Sequence, residues 1–292
     1  EGSTSTRLIQ IKEKIPVFTF PEAAGRALAK ISNYAEWRRR PPGRMKEFAD
    51  ANVEKAKKIV ANALTVRGDG WLTTQETIEV LLAYKLPLVR CGVASSEEES
   101  IRIAKKLRFP VSLKLASHHI VHKTDAGGVY LNIETEKSLR HAYRAIKTRL
   151  QKDNKLEYMD GVLVQPMIRG GVEVMIGVAQ DPVFGPLVAF SLGGVHVEVL
   201  KDVNFRIAPL SETDAREMVE GIRGFKLLKG YRGHPAADTR AIEMVLLRVS
   251  KLVEDIPEIR ELDLNPVFAM EPGKGCKVVD ARIYVASPVH KA

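Results

Sequence analysis

The sequence has few of the features that mark secreted, disulfide-rich or membrane proteins. Its 292 residues contain only two cysteines, Cys91 and Cys276, which lie far apart and outside any CxxC pattern. A disulfide framework or a zinc site is therefore not expected, and a reducing cytoplasm fits best. No apolar run approaches the roughly 20 residues that cross a bilayer. Because the polar start of the chain is not a secretory signal, we expect a cytoplasmic protein without a membrane segment.

Basic residues outnumber acidic ones, and aromatic residues are few. The chain has 36 Asp and Glu against 45 Lys and Arg, which gives a formal net charge of +9. This balance suits polyanionic partners such as nucleotides, CoA or nucleic acid. Aromatic residues make up 6% of the chain, and the densest basic patches, Arg38–Arg40 and Lys55–Lys58, show neither a clear stacking platform nor a known reading helix. We interpret them as solvated helix faces or linkers and expect no nucleic-acid partner.

The first 45 residues look incomplete by themselves. They predict one short strand over 15–20 and one amphipathic helix over 22–39, which Pro21 opens and the breaker cluster at 41–43 ends. One strand and one helix make no core, so this segment is expected to complete a domain supplied elsewhere. Since the chain begins with Glu1 rather than methionine, we also expect it to be cut from, or encoded within, something longer.

From residue 46 onward the pattern predicts an α/β (α+β) fold. A helical linker over 46–70 is followed by a subdomain over 71–157 that alternates helices and strands, and by a second subdomain over 158–292 that ends in a hairpin. Ser and Thr caps mark several helix starts. The predicted helices are 46–63, 73–84, 96–107, 136–150, 211–221 and 237–253, and the predicted strands are 86–89, 109–115, 129–133, one from 161 to the proline at 166, 172–178, 187–191, 195–200, 259–268 and 276–285.

The stretch over 114–129 carries the strongest chemical signal. Lys114 stands on an otherwise apolar strand, where a buried amine is costly unless an anion compensates it. The polar turn that follows contains His122 and the pair Gly127–Gly128. Paired glycines let backbone N–H groups approach an anion, and histidine can carry a phosphoryl group on nitrogen. We therefore predict phosphate chemistry, with a solvent-facing Lys114 and a merely solvated His122 as the alternatives.

The sequence suggests two kinds of metal site. A zinc site built on His118, His119 and the third histidine of this turn is the weaker one, because adjacent residues point to different sides of an extended segment. For magnesium, Asp263, Asn265 and Asp280 lie on opposite strands of the terminal hairpin, and alternation with apolar residues places them on one face. Their hard oxygens suit Mg²⁺ beside phosphates. Asx hydrogen bonds that stabilise a turn are the alternative.

A third region suggests recognition of a nucleotide base. The segment Gln165–Ile168, which includes Met167, leaves a strand through a proline and can present backbone N–H and C=O groups to an adenine edge. Glu173 follows eight residues after Gln165. An inter-domain connector is the alternative interpretation of this segment.

Taken in order, these motifs resemble an ATP-grasp domain over about residues 70 to 286. The variant is the one found in ADP-forming acyl-CoA synthetases, which are close kin of the succinyl-CoA synthetase β-subunit. The segment 15–41 resembles the end of the CoA-ligase half in fused members, which would make residues 1–45 the C-terminal piece of a CoA-ligase-like domain. The motifs are Val-Ser-Leu-Lys114, the Gly127–Gly128 loop, Leu-Val-Gln165-Pro, Glu173, Gly193-Gly194-Val-His-Val-Glu198, Asp263-Leu-Asn265-Pro and Asp280.

The resemblance implies a role for each of these residues. Lys114 would contact the phosphates of ATP or ADP, and the loop with Gly127–Gly128 would cover them. Gln165, with Met167 and Ile168 beside it, would hold adenine, and Glu173 would hold the ribose. Asn265 and Asp280 match the two protein ligands to Mg²⁺. Glu198 is expected to contribute to nucleotide binding and Asp263 to the metal site.

His122 matches the second phosphohistidine of the family. In that mechanism a phosphoryl group passes from an acyl phosphate to a histidine on a CoA-ligase α-subunit or domain, then to His122 and then to ADP. The resemblance therefore implies the nucleotide-binding half of an acid–CoA ligase, active only with that partner, in an α2β2-type hetero-oligomer. A catalytically silent ATP-binding module, such as those fused to some protein acetyltransferases, is the alternative. The family usually reads Ser-Pro-Asp where this chain has Ser117-His118-His119.

Overall fold

The computed structural model describes residues 16–41, 43–120, 123–194, 202–233 and 235–287, and the chain divides into two compact units, 1–43 and 44–292. In the described part of the first unit, helix α1 (Pro21–Arg39) forms as predicted, with proline in its first turn and no buried residue. The predicted strand over 15–20 is wrong for the described residues 16–20, which are irregular. A lone strand has no neighbour with which to form a hydrogen-bonded ladder.

The described part of the second unit contains two antiparallel sheets flanked by helices. Its helices are α2 (Val53–Arg67), α3 (Thr74–Ala83), α4 (Glu97–Leu107), α5 (Glu136–Lys152), α6 (Glu212–Glu220), α7 (Phe225–Leu228) and α8 (Thr239–Asp255). Its strands are β1 (Gly70–Trp71), β2 (Gly92–Ala94), β3 (Val111–Ala116), β4 (Val129–Ile133), β5 (Gly161–Pro166), β6 (Val172–Asp181), β7 (Gly185–Leu192), β8 (Val203–Ile207), β9 (Ile259–Ala269), β10 (Cys276–Val278) and β11 (Ala281–Val285).

The smaller sheet has the strand order β2-β5-β3-β4, with every pairing antiparallel. Helix α4 begins at the predicted cap, Ser96, and α5 begins after Thr135, for which no cap was predicted. The side chains of both residues accept backbone N–H groups three residues on. Both helices pack on this sheet around a core that includes Leu113, Leu115 and Ile146. All six positions of β3 are buried, so any polar side chain on this strand is enclosed.

The larger sheet has the order β1-β11-β9-β6-β7-β8, with β10 paired to β9. Helices α3, α6 and α8 pack against it around the main core of the unit. The predicted caps are confirmed at Thr73 and Ser211, each of which forms a capping box with an acidic residue three positions on. The long amphipathic helix α8 buries a stripe that includes Ile242, Leu246 and Val249.

The predicted helical linker belongs to this core. Helix α2 begins after Asn52, whose side chain accepts the N–H of Lys55, and its residues Ala56, Val60 and Ala63 are buried. The prediction of helix over 46–52 is wrong, because these residues are irregular. They are held by tertiary contacts, since the Arg248 guanidinium donates to both carboxylate oxygens of Asp50, at 3.1 and 2.8 Å.

Two predicted strands differ from the observed ones. Residues 86–89 form only a single bridge, between Leu88 and Val278, and the strand lies later, at β2. The predicted strand over 276–285 is interrupted at 279–280, where Val279 donates its N–H to the carbonyl of Pro266. Proline has no N–H with which to return that bond, so the Val279 carbonyl remains available to side chains of the smaller sheet.

The sheets do not separate along the chain at residue 158. Strand β5 pairs with β2 and β3 in the smaller sheet, whereas β1 pairs with β11 in the larger one. The chain thus crosses between the two sheets twice, after β1 and after β5, and the division into four domains stays a prediction. Within the described residues, no helix combines the length and the apolar character needed to cross a bilayer.

Candidate functional site

Lys114 occupies the centre of β3 and points from the smaller sheet toward the interruption in the larger one. Its residue is 6% exposed, which rules out the solvent-facing alternative. The ammonium lies 3.4 Å from the Val279 carbonyl oxygen and 3.9 Å from Oδ2 of Asp280. Burial lowers the pKa of Lys114, and the Asp280 carboxylate opposes this effect in part. The positive charge of the amine is therefore enclosed but weakly compensated, as expected for a group that binds an anionic ligand.

A second amine, Lys123, reaches the same carboxylate and was not among the predicted site residues. Its Nζ lies 3.1 Å from Oδ1 of Asp280, and the residue is 8% exposed. The only sequence signal for it is its place in the polar turn. Two ammonium groups from the histidine-containing loop and β3 thus converge on one carboxylate of the larger sheet.

The three predicted metal ligands line one cavity of about 160 Å³, together with Lys123 and other residues. Asn265 and Asp280 face each other across the hairpin, where the Asn265 N–H donates to the Asp280 carbonyl at 3.1 Å. Asp263 differs, because its carboxylate accepts a hydrogen bond of 2.8 Å from Arg282. Among the described residues no cluster of three His, Cys, Asp or Glu side chains is able to hold a metal. The remaining oxygens, from the Asn265 amide and the Asp280 carboxylate, are suitable ligands for Mg²⁺. This ion takes few protein ligands and completes its octahedron with water and phosphate oxygens.

Gln165 supplies an unpaired acceptor beside the lysines. Its Nε2 donates to the Val279 carbonyl at 2.9 Å. The residue is 1% exposed, and its Oε1 has no hydrogen-bond partner among the described residues. A buried oxygen without a donor is costly, and the exocyclic amine of adenine is a donor of the required kind. Met167 has its N–H bound to the Pro110 carbonyl at 3.1 Å, and Ile168 is half-buried.

The glycine pair closes a tight turn. Gly127 has a φ of +63°, and its N–H donates to the Thr124 carbonyl. The N–H of Gly128 donates to the Lys123 carbonyl at 2.7 Å, and a Cβ at this position would stand 2.8 Å from the Leu115 Cβ. In the described arrangement both N–H groups serve the turn, and the phosphate-covering role of the pair stays a prediction.

Glu173 lies at the start of β6 beside a second cavity, of about 520 Å³, whose walls include Leu192, Leu227 and Tyr231. The Glu173 carbonyl accepts the N–H of Gly193 at 2.7 Å. The cavity is large enough for a base and a sugar. Two predicted site residues, His122 and Glu198, and the predicted strand over 195–200 lie outside the described residues.

The two extra histidines lie at the start of the loop, where His118 bonds to Asp160 and His119 bonds through its backbone N–H to Ser117. The Nδ1 of His118 lies 2.7 Å from Oδ2 of Asp160, which also accepts the backbone N–H of His118 at 2.9 Å. The next two backbone N–H groups, of His119 and Ile120, donate to Oγ of Ser117. The side chains of Asp160 and Ser117 therefore fix the start of the histidine-containing loop, and the zinc alternative finds no support in these contacts.

The two antiparallel sheets face each other across lysines, a buried amide and paired oxygen ligands. This arrangement is a nucleotide-type cleft, and the similarity to known proteins shows the family. Residues 63–285 match the ATP-grasp domain family. The chain is 43% identical over 230 residues to acetate–CoA ligase [ADP-forming] II subunit beta of Pyrococcus furiosus, a match that covers 78% of this chain and 97% of that protein. The chain therefore belongs to the ATP-grasp domain family, in the branch that includes β-subunits of ADP-forming acetate–CoA ligases.

Longer relatives and a solved structure agree with this placement. The chain is 40% identical to 4-hydroxybutyrate–CoA ligase [ADP-forming] of Nitrosopumilus maritimus over 283 residues, which are 97% of this chain but 40% of that protein. A chain of the dinucleotide-forming acetyl-coenzyme A synthetase 1 of Ca. Korarchaeum cryptofilum, in complex with coenzyme A and Mg-AMPPCP, superposes with a TM-score of 0.68 at 39% identity, over 79% of this chain and 99% of that one. Its phosphohistidine segment is described as pointing towards the nucleotide-binding site.

Proposed function

We propose that this chain is the nucleotide-binding part of an ADP-forming acyl-CoA synthetase, which moves a phosphoryl group through His122 between a CoA-ligase partner and ADP or ATP. One observation carries the proposal. A buried, weakly compensated lysine and a buried amide oxygen without a donor meet beside two oxygen ligands, in a chain of the ATP-grasp family. A cleft with a weakly compensated positive charge and an unpaired hydrogen-bond acceptor suits a magnesium nucleotide.

Each residue of the cleft would bind a different part of the nucleotide or its metal ion. Lys114 would neutralise phosphate oxygens, since its ammonium has only long contacts at 3.4 and 3.9 Å. Gln165 would accept from the adenine amine through Oε1, while its Nε2 keeps its bond to Val279. Glu173 would accept from ribose hydroxyls at the mouth of the larger cavity. Asn265 and Asp280 would hold Mg²⁺, which lowers the repulsion between the phosphates and an incoming nucleophile.

Catalysis in such a site rests mainly on position and charge. The contacts of Asp160 and Ser117 hold one end of the loop that carries His122, and the turn closed by Gly128 holds the other. His122 would accept the phosphoryl group on a ring nitrogen and release it to ADP. The partner would be a CoA-ligase subunit or domain that supplies the acyl-CoA site and the first phosphohistidine, in an α2β2-type assembly.

The lengths over which this chain matches its relatives support such a partner. The P. furiosus β-subunit relative matches 78% of this chain and 97% of its own length, whereas the N. maritimus ligase matches nearly all of this chain with two fifths of its own. We infer that residues 1–45 are the end of a CoA-ligase-like domain. The exposed apolar side chains of α1, such as Leu28 and Ile31, would pack on the rest of that domain.

The test is labelling of the protein with [γ-³²P]ATP and Mg²⁺. We expect an acid-labile, base-stable phosphoenzyme in the wild-type protein and none in His122→Asn. His141→Asn is the matched control, because His141 is exposed on α5 and carries the same chemical change. Unchanged labelling in His122→Asn would show that another residue carries the phosphoryl group. Tight ATP binding without any labelling, even with a CoA-ligase partner added, would instead indicate a silent regulatory module.

A further inference from the structure

Asp280 is already neutralised by cations that belong to the protein. Lys123 Nζ lies 3.1 Å from one carboxylate oxygen, and Lys114 Nζ lies 3.9 Å from the other. The backbone N–H of Ala281 also donates to Oδ1, at 3.0 Å. The best acidic candidate for a metal ligand therefore has an ammonium group beside each oxygen.

The two lysines are not equivalent in these contacts. Lys123 makes the shorter contact, and its side chain is 8% exposed, against 26% for that of Asp280. It also lines the cavity that Asp263, Asn265 and Asp280 share. Lys114 is further from Asp280 and divides its contacts between the carboxylate and the Val279 carbonyl. Lys123 is therefore the amine that competes most directly with a cation for Asp280.

We propose that Lys123 is a positioning residue that takes the place of a divalent cation on Asp280 and turns to phosphate oxygens when the cation binds. The proposal rests on the proposed function, because it requires a magnesium nucleotide in this cleft. A cation that binds alone must displace Lys123 and leave its buried ammonium without a partner. A nucleotide that arrives with the cation offers the ammonium new acceptors. Cation and nucleotide therefore bind cooperatively, beyond the affinity that they have for each other in water.

The experiment measures Mn²⁺ binding by electron paramagnetic resonance of the free ion, first without nucleotide. Lys123→Met removes the competing ammonium, so we expect the variant to bind Mn²⁺ alone about tenfold more tightly than the wild type. Lys226→Met is the matched control, since Lys226 is exposed on α7 and the change in net charge is the same. It should bind Mn²⁺ as the wild type does. Lys123→Arg keeps the charge and should also keep the weak Mn²⁺ binding.

A second measurement adds ADP at saturation. In the wild type ADP should tighten Mn²⁺ binding, and in Lys123→Met this gain should shrink by about tenfold. Equal or weaker Mn²⁺ binding by folded Lys123→Met overturns the proposal, and Lys123→Gln repeats the test if the methionine variant does not fold. The two proposals fail separately. Absence of ADP binding to the wild type contradicts the nucleotide site, whereas ADP binding with no effect of Lys123 on Mn²⁺ contradicts only the role of Lys123.

Discussion

Replacement of Lys114 by methionine is expected to stabilise the empty protein and to impair nucleotide binding. Both groups that contact Lys114 have closer partners elsewhere. The Val279 carbonyl accepts from Gln165 at 2.9 Å, and Asp280 pairs with Lys123 at 3.1 Å. Loss of the amine therefore leaves no buried group unpaired. It also removes the desolvation cost that lowers the pKa of this residue.

The size of the expected stabilisation follows from these contacts. Exchange of buried ionic groups for apolar ones of similar size is often neutral or stabilising by about 1–4 kcal/mol. Since Lys114 has a partly compensating contact with Asp280, we expect the lower end, about 1–2 kcal/mol in the free energy of unfolding. That corresponds to a rise in Tm of about 2–4 °C for each kcal/mol in a domain of this size. Loss of a charged hydrogen bond to phosphate should weaken ATP binding by about 10- to 100-fold.

The assay combines thermal denaturation without ligand and titration with a fluorescent ATP analogue. Lys226→Met, at an exposed lysine, should change neither quantity. A decrease in the free energy of unfolding of Lys114→Met by more than about 1 kcal/mol would show instead that the amine stabilises the empty fold. Wild-type affinity for the analogue in this variant would remove Lys114 from the phosphate site.

Three further predictions concern other positions. Gln165→Leu should weaken ATP binding by about 5- to 10-fold with a much smaller loss for GTP, whose base lacks the amine; equal losses in competition titrations would contradict the assignment. Gly128→Ala should cost about 1–3 kcal/mol in urea unfolding, because its Cβ would stand 2.8 Å from that of Leu115; wild-type stability would exclude this contact. Burial raises the pKa of Cys276 to about 12, so iodoacetamide at pH 8 should label Cys276 only in the unfolded protein, and stability should fall above about pH 9, where the unfolded thiol ionises first. Rapid labelling of Cys276 in the native protein would contradict this burial.

Much of the local structure was predictable because it depends on neighbours in the sequence. The caps at Thr73, Ser96 and Ser211 lie where a hydroxyl precedes a helical pattern, and each accepts the N–H three residues on. The strand of Lys114 was predictable from its apolar run. The strand predicted over 86–89 forms only one bridge, between Leu88 and Val278, because an apolar run does not show which strand, if any, will pair with it.

The site was predictable in part for the same reason. Lys114, Gln165, Asn265 and Asp280 stand in recognisable motifs, and the structure brings all four to the interruption between β10 and β11. Lys123 was missed, since a lysine in a polar loop gives no sign of burial until the loop is packed. Met167 and the glycine pair were expected to offer backbone groups, but all three of their N–H groups are bound within the fold.

The order of the amino acids is enough to show which residues carry charge and oxygen, where most helices begin, and which family these motifs resemble. Which of those charges meet depends on how the two sheets pack. Pro266 withholds an N–H from the Val279 carbonyl, and that carbonyl then receives Gln165 and Lys114 from another sheet. The pairing of Lys123 with Asp280 joins residues 157 positions apart. No local pattern records such a contact, because its energy depends on the burial that both sheets create together.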